Sequence, residues 1–139
     1  MKIQFKKLNE NAITPTRDYG NAGYDLYALE DVIIHPGERH LIKTGIAISI
    51  PITWYGHISD RSGMAYKKGA HCLGKIIDPA YRKEIGIVLL NTDKKETLTI
   101  CKGDRPAQIL FKQYGDFDFE EVEELDNTDR GIGWGSSGS

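Results

Sequence analysis

Apolar residues recur at every second position along much of the chain. Ile46, Ile48 and Ile50 alternate with Ala47 and Ser49, and Trp54, Gly56 and Ile58 follow the same period. So do Leu98 with Ile100, and Phe117 with Phe119. A period of two places alternate side chains on one face of a strand. The run Ile85-Gly86-Ile87-Val88-Leu89-Leu90 is short and rich in branched residues, which predicts a buried strand rather than a helix. Turn residues separate these runs: Pro36-Gly37, Ile50-Pro51, Asn91-Thr92-Asp93 and Lys102-Gly103-Asp104. Many short strands at near-even spacing predict an all-β sandwich, barrel or jelly roll. One short helix is expected at Ser62-Gly63-Met64-Ala65-Tyr66-Lys67, with Ser62 as its N-cap.

Composition narrows the function. The chain has 139 residues, 18 Lys and Arg against 20 Asp and Glu, and a net charge of -2. That size suits one core, and that balance argues against a nucleic-acid binder. No apolar run approaches the ~18 residues of a membrane span. The start, Met-Lys-Ile-Gln-Phe-Lys-Lys, has no secretion signal, and two separated cysteines suggest neither a disulfide scaffold nor zinc. A reducing compartment, cytoplasmic (or nuclear in a eukaryotic or viral setting), is the expectation. Glu120, Glu121, Glu123 and Glu124 read as a solvated face. The last ten residues hold four Gly and three Ser, which cannot build a core and predict mobility without a ligand. Arg130 and Trp134 within that stretch are out of place in a bare linker.

Three apparent signals carry no chemistry. Gly69 to Lys75 fits the opening of a P-loop, but Ile76 stands where Ser or Thr must hold magnesium. His35, His40, His57 and His71 show no metal spacing. Neither Cys72 nor Cys101 has a neighbouring His and Asp that would mark a thiol nucleophile.

Five other segments concentrate Gly, Ser, Arg and Asp. Ala22-Gly23-Tyr24-Asp25-Leu26 alone reads as a turn. Asp60-Arg61-Ser62-Gly63-Met64-Ala65 offers a guanidinium, a hydroxyl and an amide at a helix start, a donor set that suits phosphate. Leu73 to Glu84 places Asp78 between strand-like flanks, as in a hairpin. Beside Ile76 and Ile77, partial desolvation would raise the Asp78 pKa and make it a better proton acceptor. Gly103-Asp104-Arg105-Pro106-Ala107-Gln108 is a turn leading into a strand. Arg130 to Gly138 offers a cation, an aromatic face, hydroxyls and amides, which suit a nucleoside triphosphate.

In this order the five segments resemble the motifs of the trimeric deoxyuridine triphosphatases over residues 22 to 138. The resemblance implies a jelly-roll-like β-barrel over residues 1–126, a homotrimer with shared sites, and a mobile C-terminal arm over 127–139. It implies Mg²⁺-dependent hydrolysis of dUTP to dUMP and pyrophosphate, lowering dUTP and supplying dUMP for thymidylate synthesis. In that reading Asp78 activates the attacking water at the α-phosphorus, and Asp25 meets the magnesium through water. Arg61, Ser62, Gly63 and Gln108 hold the phosphates. A hairpin from about Gly74 to Gly86 forms the uracil slot with Lys75, Ile76, Ile77 and Gly86, and Tyr81 lies on the deoxyribose. Trp134 stacks on the base and Arg130 reaches the terminal phosphate, with Gly135, Ser136 and Ser137 completing the cap.

Three positions depart from the family pattern. Lys75 and Lys83 replace usual glycines, and Lys83 would be strained if its position needs φ > 0. The arm is one residue shorter between Arg130 and the aromatic, which is Trp134 where Phe is commoner. A related dCTP deaminase would need a glutamate on the strand after the hairpin, and Gly86 to Leu90 has none. A sensing module that has lost turnover is countered by the presence of Asp78, Arg61, Ser62, Gln108 and Arg130.

Overall fold

The alternating runs become short strands. In the computed structural model, which describes residues 1–128, chain order is β1 (Gln4–Lys7), β2 (Tyr24–Leu26), β3 (Val32–Ile34), β4 (Arg39–Lys43), β5 (Ile46–Ser49), β6 (Trp54–Asp60), α1 (Ser62–Lys68), β7 (Ala70–Leu73), β8 (Ile76–Ile77), β9 (Gly86–Asn91), β10 (Leu98–Ile100) and β11 (Ala107–Gln113). The chain is therefore all-β with one short helix. Arg130, Trp134, Gly135, Ser136 and Ser137 lie outside the described residues. Among the described residues no helix is long and apolar enough to cross a membrane.

The strands form sheets of order β2-β11-β6-β8 and β4-β9-β7, with two-stranded pairs β1-β5 and β10-β3. Every pairing is antiparallel. Alternation decides what is buried. Gly56 and Ile58 of β6 point inward while Tyr55, His57 and Ser59 are half-buried on the other face. Ile87, Leu89 and Asn91 of β9 do the same. The core is rich in isoleucine: Ile34, Ile42, Ile46, Ile58, Ile85, Ile87, Ile100 and Ile109 are essentially inaccessible. Each such side chain contributes about 1.5–3 kcal/mol by leaving water. The buried Asn91 is fully satisfied. Its amide donates to the carbonyls of Ile34 and Glu96 at 3.0 and 2.9 Å, and its Oδ1 accepts from the Asp93 N–H at 3.0 Å.

Three expectations need correction. Phe117 and Phe119 fit a strand pattern, yet residues 114–128 contain no strand, because no strand among the described residues pairs with them to complete a ladder. The arms of segment 74–86 do not pair with each other. Ile76 and Ile77 join β6, whereas Gly86 opens β9 between β4 and β7, so the segment is a loop crossing between two sheets. The helix is capped by Arg61, whose backbone is extended, and there is no side-chain cap bond. Ser62 is its first helical residue.

Candidate functional site

Strand register builds the first cluster. On β2, Asp25 stands directly opposite Gln108 of β11, and Gln108 in turn faces Ser59 of β6. The last residue of β6 is Asp60, so Arg61 emerges at this same end. The Arg61 Nε lies 3.1 Å from Asp25 Oδ1, and the Arg105 Nη1 lies 3.1 Å from Asp25 Oδ2. Arg61 also donates to the Arg105 carbonyl at 2.9 Å. One carboxylate thus holds two guanidinium groups side by side. The Gln108 amide donates to the Asp60 carbonyl at 2.8 Å. Its Oε1 sits so near Gly23 that a Cβ there would lie 2.2 Å from it, so glycine is demanded by this contact. Ser62 and Gly63 are exposed beside the cluster, and a Cβ on Gly63 would meet nothing within 4 Å. Neither packing nor backbone conformation requires a glycine there.

Behind this cluster the Asp60 carboxylate ties β6 to β7. Its Oδ2 lies 2.6 Å from His71 Nδ1, and its Oδ1 accepts from the Cys72 N–H at 2.6 Å. Burial pushes the Asp60 carboxyl up, but the hydrogen bonds from His71 and Cys72 outweigh it and hold the group below its ordinary value. Cys72 is fully buried, and burial, reinforced by Asp60, pushes its thiol up to about 12. Such a thiol stays protonated and is no nucleophile.

A second cluster forms around the 74–86 loop. Ile76, Ile77, Asp78, Tyr81 and Gly86 line one cleft of about 280 Å³ together with Leu41, Lys43 and Glu84. Asp78 also borders a neighbouring cleft of about 360 Å³ with Tyr55, Pro79 and Tyr114. Asp78 is exposed, so the desolvation expected from Ile76 and Ile77 is not supplied by this chain alone. Lys75 does not line the Asp78 cleft. Its carbonyl accepts from the Ile58 N–H at 2.8 Å, and its charge acts on His57 instead. Lys83 is unstrained, because Thr53 alone among the described non-glycine residues has positive φ. A separate cavity of about 410 Å³, lined by Ile3, Phe5, Trp54 and Phe111 among others, contains none of the candidate site residues.

The two clusters do not meet within one chain. Ile77 pairs with Gly56, which sets Asp78 beside Tyr55 at the start of β6, whereas Arg61 follows its end. Extended backbone rises ~3.3 Å per residue, which puts about 20 Å of strand between them.

A family model described as dUTPase matches residues 9–138. The chain belongs to the dUTPase family. It is 46% identical over 138 residues to the deoxyuridine 5'-triphosphate nucleotidohydrolase of Cowpox virus (strain GRI-90 / Grishak), covering 98% of this chain and 92% of that one. The Nocardia farcinica protein of the same name is 43% identical over 140 residues, covering 98% and 85%. Among solved structures, Staphylococcus bacteriophage 80alpha dUTPase with dUPNHPP superposes with a TM-score of 0.91 at 30% identity, covering 99% of each chain. A mutant dUTPase from phage phi11 of S. aureus, which coordinates a structural Mg(II) ion, gives 0.86 at 27% identity, covering 91% of this chain and 100% of that one.

The structure also brings to the two clusters residues that the sequence did not single out. Arg105 lies inside the fourth motif, yet its partner Asp25 is 80 positions away, and nothing local announces the pairing. Leu41 and Lys43 enter the cleft from β4, outside every motif. Glu84 had a weak signal, as the last residue of the third segment, Leu73 to Glu84. The donor set also bears on magnesium. No group of three or more His, Cys, Asp or Glu converges among the described residues, so no all-protein cage is available. Both Asp25 oxygens already face guanidinium groups, so a hydrated magnesium would meet this carboxylate only through water and would take its other ligands from phosphate, whose charge offsets the two arginines.

Proposed function

We propose that the protein hydrolyses dUTP to dUMP and pyrophosphate. The observation that carries this reading is the gathering of Asp78, Tyr81, Ile76, Ile77 and Gly86 in one cleft of a dUTPase-family chain. Uracil enters the cleft and meets main-chain groups of the loop from Lys75 to Ile77 and of Gly86. A fixed pattern of backbone donors and acceptors rejects cytosine, whose pairing edge is reversed. Tyr81 packs against the deoxyribose and leaves no room for a 2′-hydroxyl.

Asp78 takes the proton of a water molecule as the water oxygen bonds to the α-phosphorus. The bond to the bridging oxygen breaks and pyrophosphate leaves with its electron pair. Little covalent help is needed, so positioning and charge neutralisation carry most of the catalysis. Arg61, Ser62, Gly63 and Gln108, with Arg105 beside them, hold the phosphate chain. Asp25 would hold Mg²⁺ through water, and the bound ion supplies neutralisation of the triphosphate charge. Since about 20 Å of strand separates Asp78 from Arg61, one substrate draws its base cleft and its phosphate cluster from different chains. A homotrimer with shared sites meets that need. Residues 127–139 act as an arm over the nucleotide, Trp134 on the base and Arg130 on the terminal phosphate, with Gly135, Ser136 and Ser137 around them.

The test is incubation with dUTP, dCTP, dTTP and UTP in turn, with Mg²⁺ and after chelation. Rapid release of dUMP and pyrophosphate from dUTP alone, slowed by the chelator, is expected. Equal turnover of UTP would overturn the role given to Tyr81, and indifference to the chelator would remove magnesium.

A further inference from the structure

The 78–86 loop carries both the base cleft and Asp78, yet its residues 81–83 are exposed and make no strand. What holds it in place is a staple to the turn between β4 and β5. Thr44, buried at 1% exposure, donates its hydroxyl to the Ile85 carbonyl at 2.6 Å. The Ile85 N–H donates to the Ile46 carbonyl at 2.7 Å. The Glu84 carboxylate accepts from the Gly45 N–H at 2.9 Å. Gly45 has φ +70, and a Cβ there would lie 2.8 Å from that of Ala12, so this donor is presented by a backbone that only glycine adopts easily. The staple therefore makes Glu84 a fixed point anchored to the core.

Tyr81 is tied to that fixed point. Its hydroxyl donates to the Glu84 carbonyl at 2.9 Å, and its N–H donates to the Asp78 carbonyl at 3.0 Å. Arg82 turns the other way and donates to the carbonyls of Pro79 and Tyr81. The Gly45 N–H thus holds the Glu84 carboxylate, the Glu84 main-chain carbonyl holds the Tyr81 hydroxyl, and the Tyr81 N–H continues to Asp78. The ring is 39% exposed and forms part of the cleft wall. Nothing else in the described structure fixes its hydroxyl.

We propose that Glu84 is a positioning residue for sugar selection: its carboxylate, seated on the Gly45 N–H, fixes the carbonyl to which Tyr81 donates, and so holds the ring where it excludes a 2′-hydroxyl. The inference rests on the dUTP reading above and extends it to Glu84, which borders the cleft and acts on the sugar through Tyr81. A loose ring leaves space for the extra hydroxyl of a ribonucleotide. Glu84 accordingly governs the preference for dUTP over UTP more than it governs the rate on dUTP.

The experiment compares kcat and KM on dUTP and UTP for the full chain, Glu84→Ala, Glu84→Gln, Tyr81→Phe and the double variant Glu84→Ala/Tyr81→Phe, each with a thermal melt. Loss of one charge-assisted hydrogen bond predicts that Glu84→Ala lowers the dUTP-to-UTP preference by about tenfold, chiefly through a lower KM for UTP. Glu84→Gln keeps an acceptor at the same reach and restores most of the preference. Tyr81→Phe keeps the ring but not its tether and loses the preference to a similar degree, with its melting point unchanged. The double variant loses no more than the worse single one, because both changes break one chain. A Glu84→Ala enzyme that melts lower yet keeps its preference shows a purely structural role and overturns the proposal. So does a Tyr81→Phe enzyme with full preference, which decides the matter even if Glu84→Ala fails to fold. A native enzyme that turns over dUTP selectively while all variants stay selective sinks this inference alone. A native enzyme with no preference for dUTP sinks the parent reading as well.

Discussion

The phosphate cluster and the base cleft are held by different means. Around Asp25, side chains grip one another: two arginines share one carboxylate, and Gln108 is wedged between Gly23 and the Asp60 carbonyl. All of them stand on paired strands or within two residues of one. Around Asp78 the grip is mostly backbone, a loop stapled at residues 84–85 while its tip stays exposed. The first arrangement preorganises charge for an anion. The second fixes the ends of a loop through its main chain and leaves the Asp78 carboxylate exposed. Preorganised groups need no rearrangement as the substrate reacts.

Removing the base from one side is expected to have the largest effect. Asp78→Asn should lower kcat by about a hundred- to ten-thousandfold with dUTP binding retained, the range for loss of a positioned general base. Single-turnover kinetics with equilibrium binding reads both quantities, and near-native rates would mean another base. Arg61→Ala attacks the other side and should raise KM and lower kcat together. The sharper comparison mixes the two inactive variants, unfolds them and refolds them together. If the halves of a site come from different chains, activity reappears in the mixture; if each chain holds a whole site, it does not.

A smaller effect is expected from Gly23→Ala. The added methyl would meet Gln108 Oε1 at 2.2 Å, so Gln108 must leave its place. Overpacking of this kind costs about 1–3 kcal/mol, which a denaturant titration measures. Activity should fall through the phosphates, with the dUTP-to-UTP preference intact, the reverse of Glu84→Ala.

The smallest effect concerns pH. Desolvation, with Lys112 and then Lys75 nearby, holds His57 below its usual 6.5. As pH falls below 6.5 the unfolded chain takes up this proton before the folded one does, so stability declines on the acid side. His57→Gln should remove that part of the slope in a series of thermal melts, and an unchanged slope would show that His57 does not contribute.

Much of the architecture was legible locally. The alternation at 46–50, 54–58 and 98–100, and the run at 85–90, became β5, β6, β10 and β9, because burying one face of a strand needs only a period of two. The helix appeared where Ser62 and its helix-tolerant neighbours placed it, one residue off at the cap. Phe117 and Phe119 show what alternation alone does not decide. They have the right period but no partner strand among the described residues, and a strand exists only in a ladder.

The sequence by itself determined which chemical groups are present, the apolar runs that became β5, β6, β9 and β10, and the family to which the five motifs belong. Tertiary structure alone decided which groups meet: Arg105 with Asp25, Gln108 against Gly23, Ile76 and Ile77 with β6, and Glu84 on Gly45. It also put about 20 Å of strand between Asp78 and Arg61. The reason is physical. Periodicity and turn chemistry act over a few neighbouring residues, whereas strand pairing and register are settled by contacts between distant segments that must all be satisfied at once.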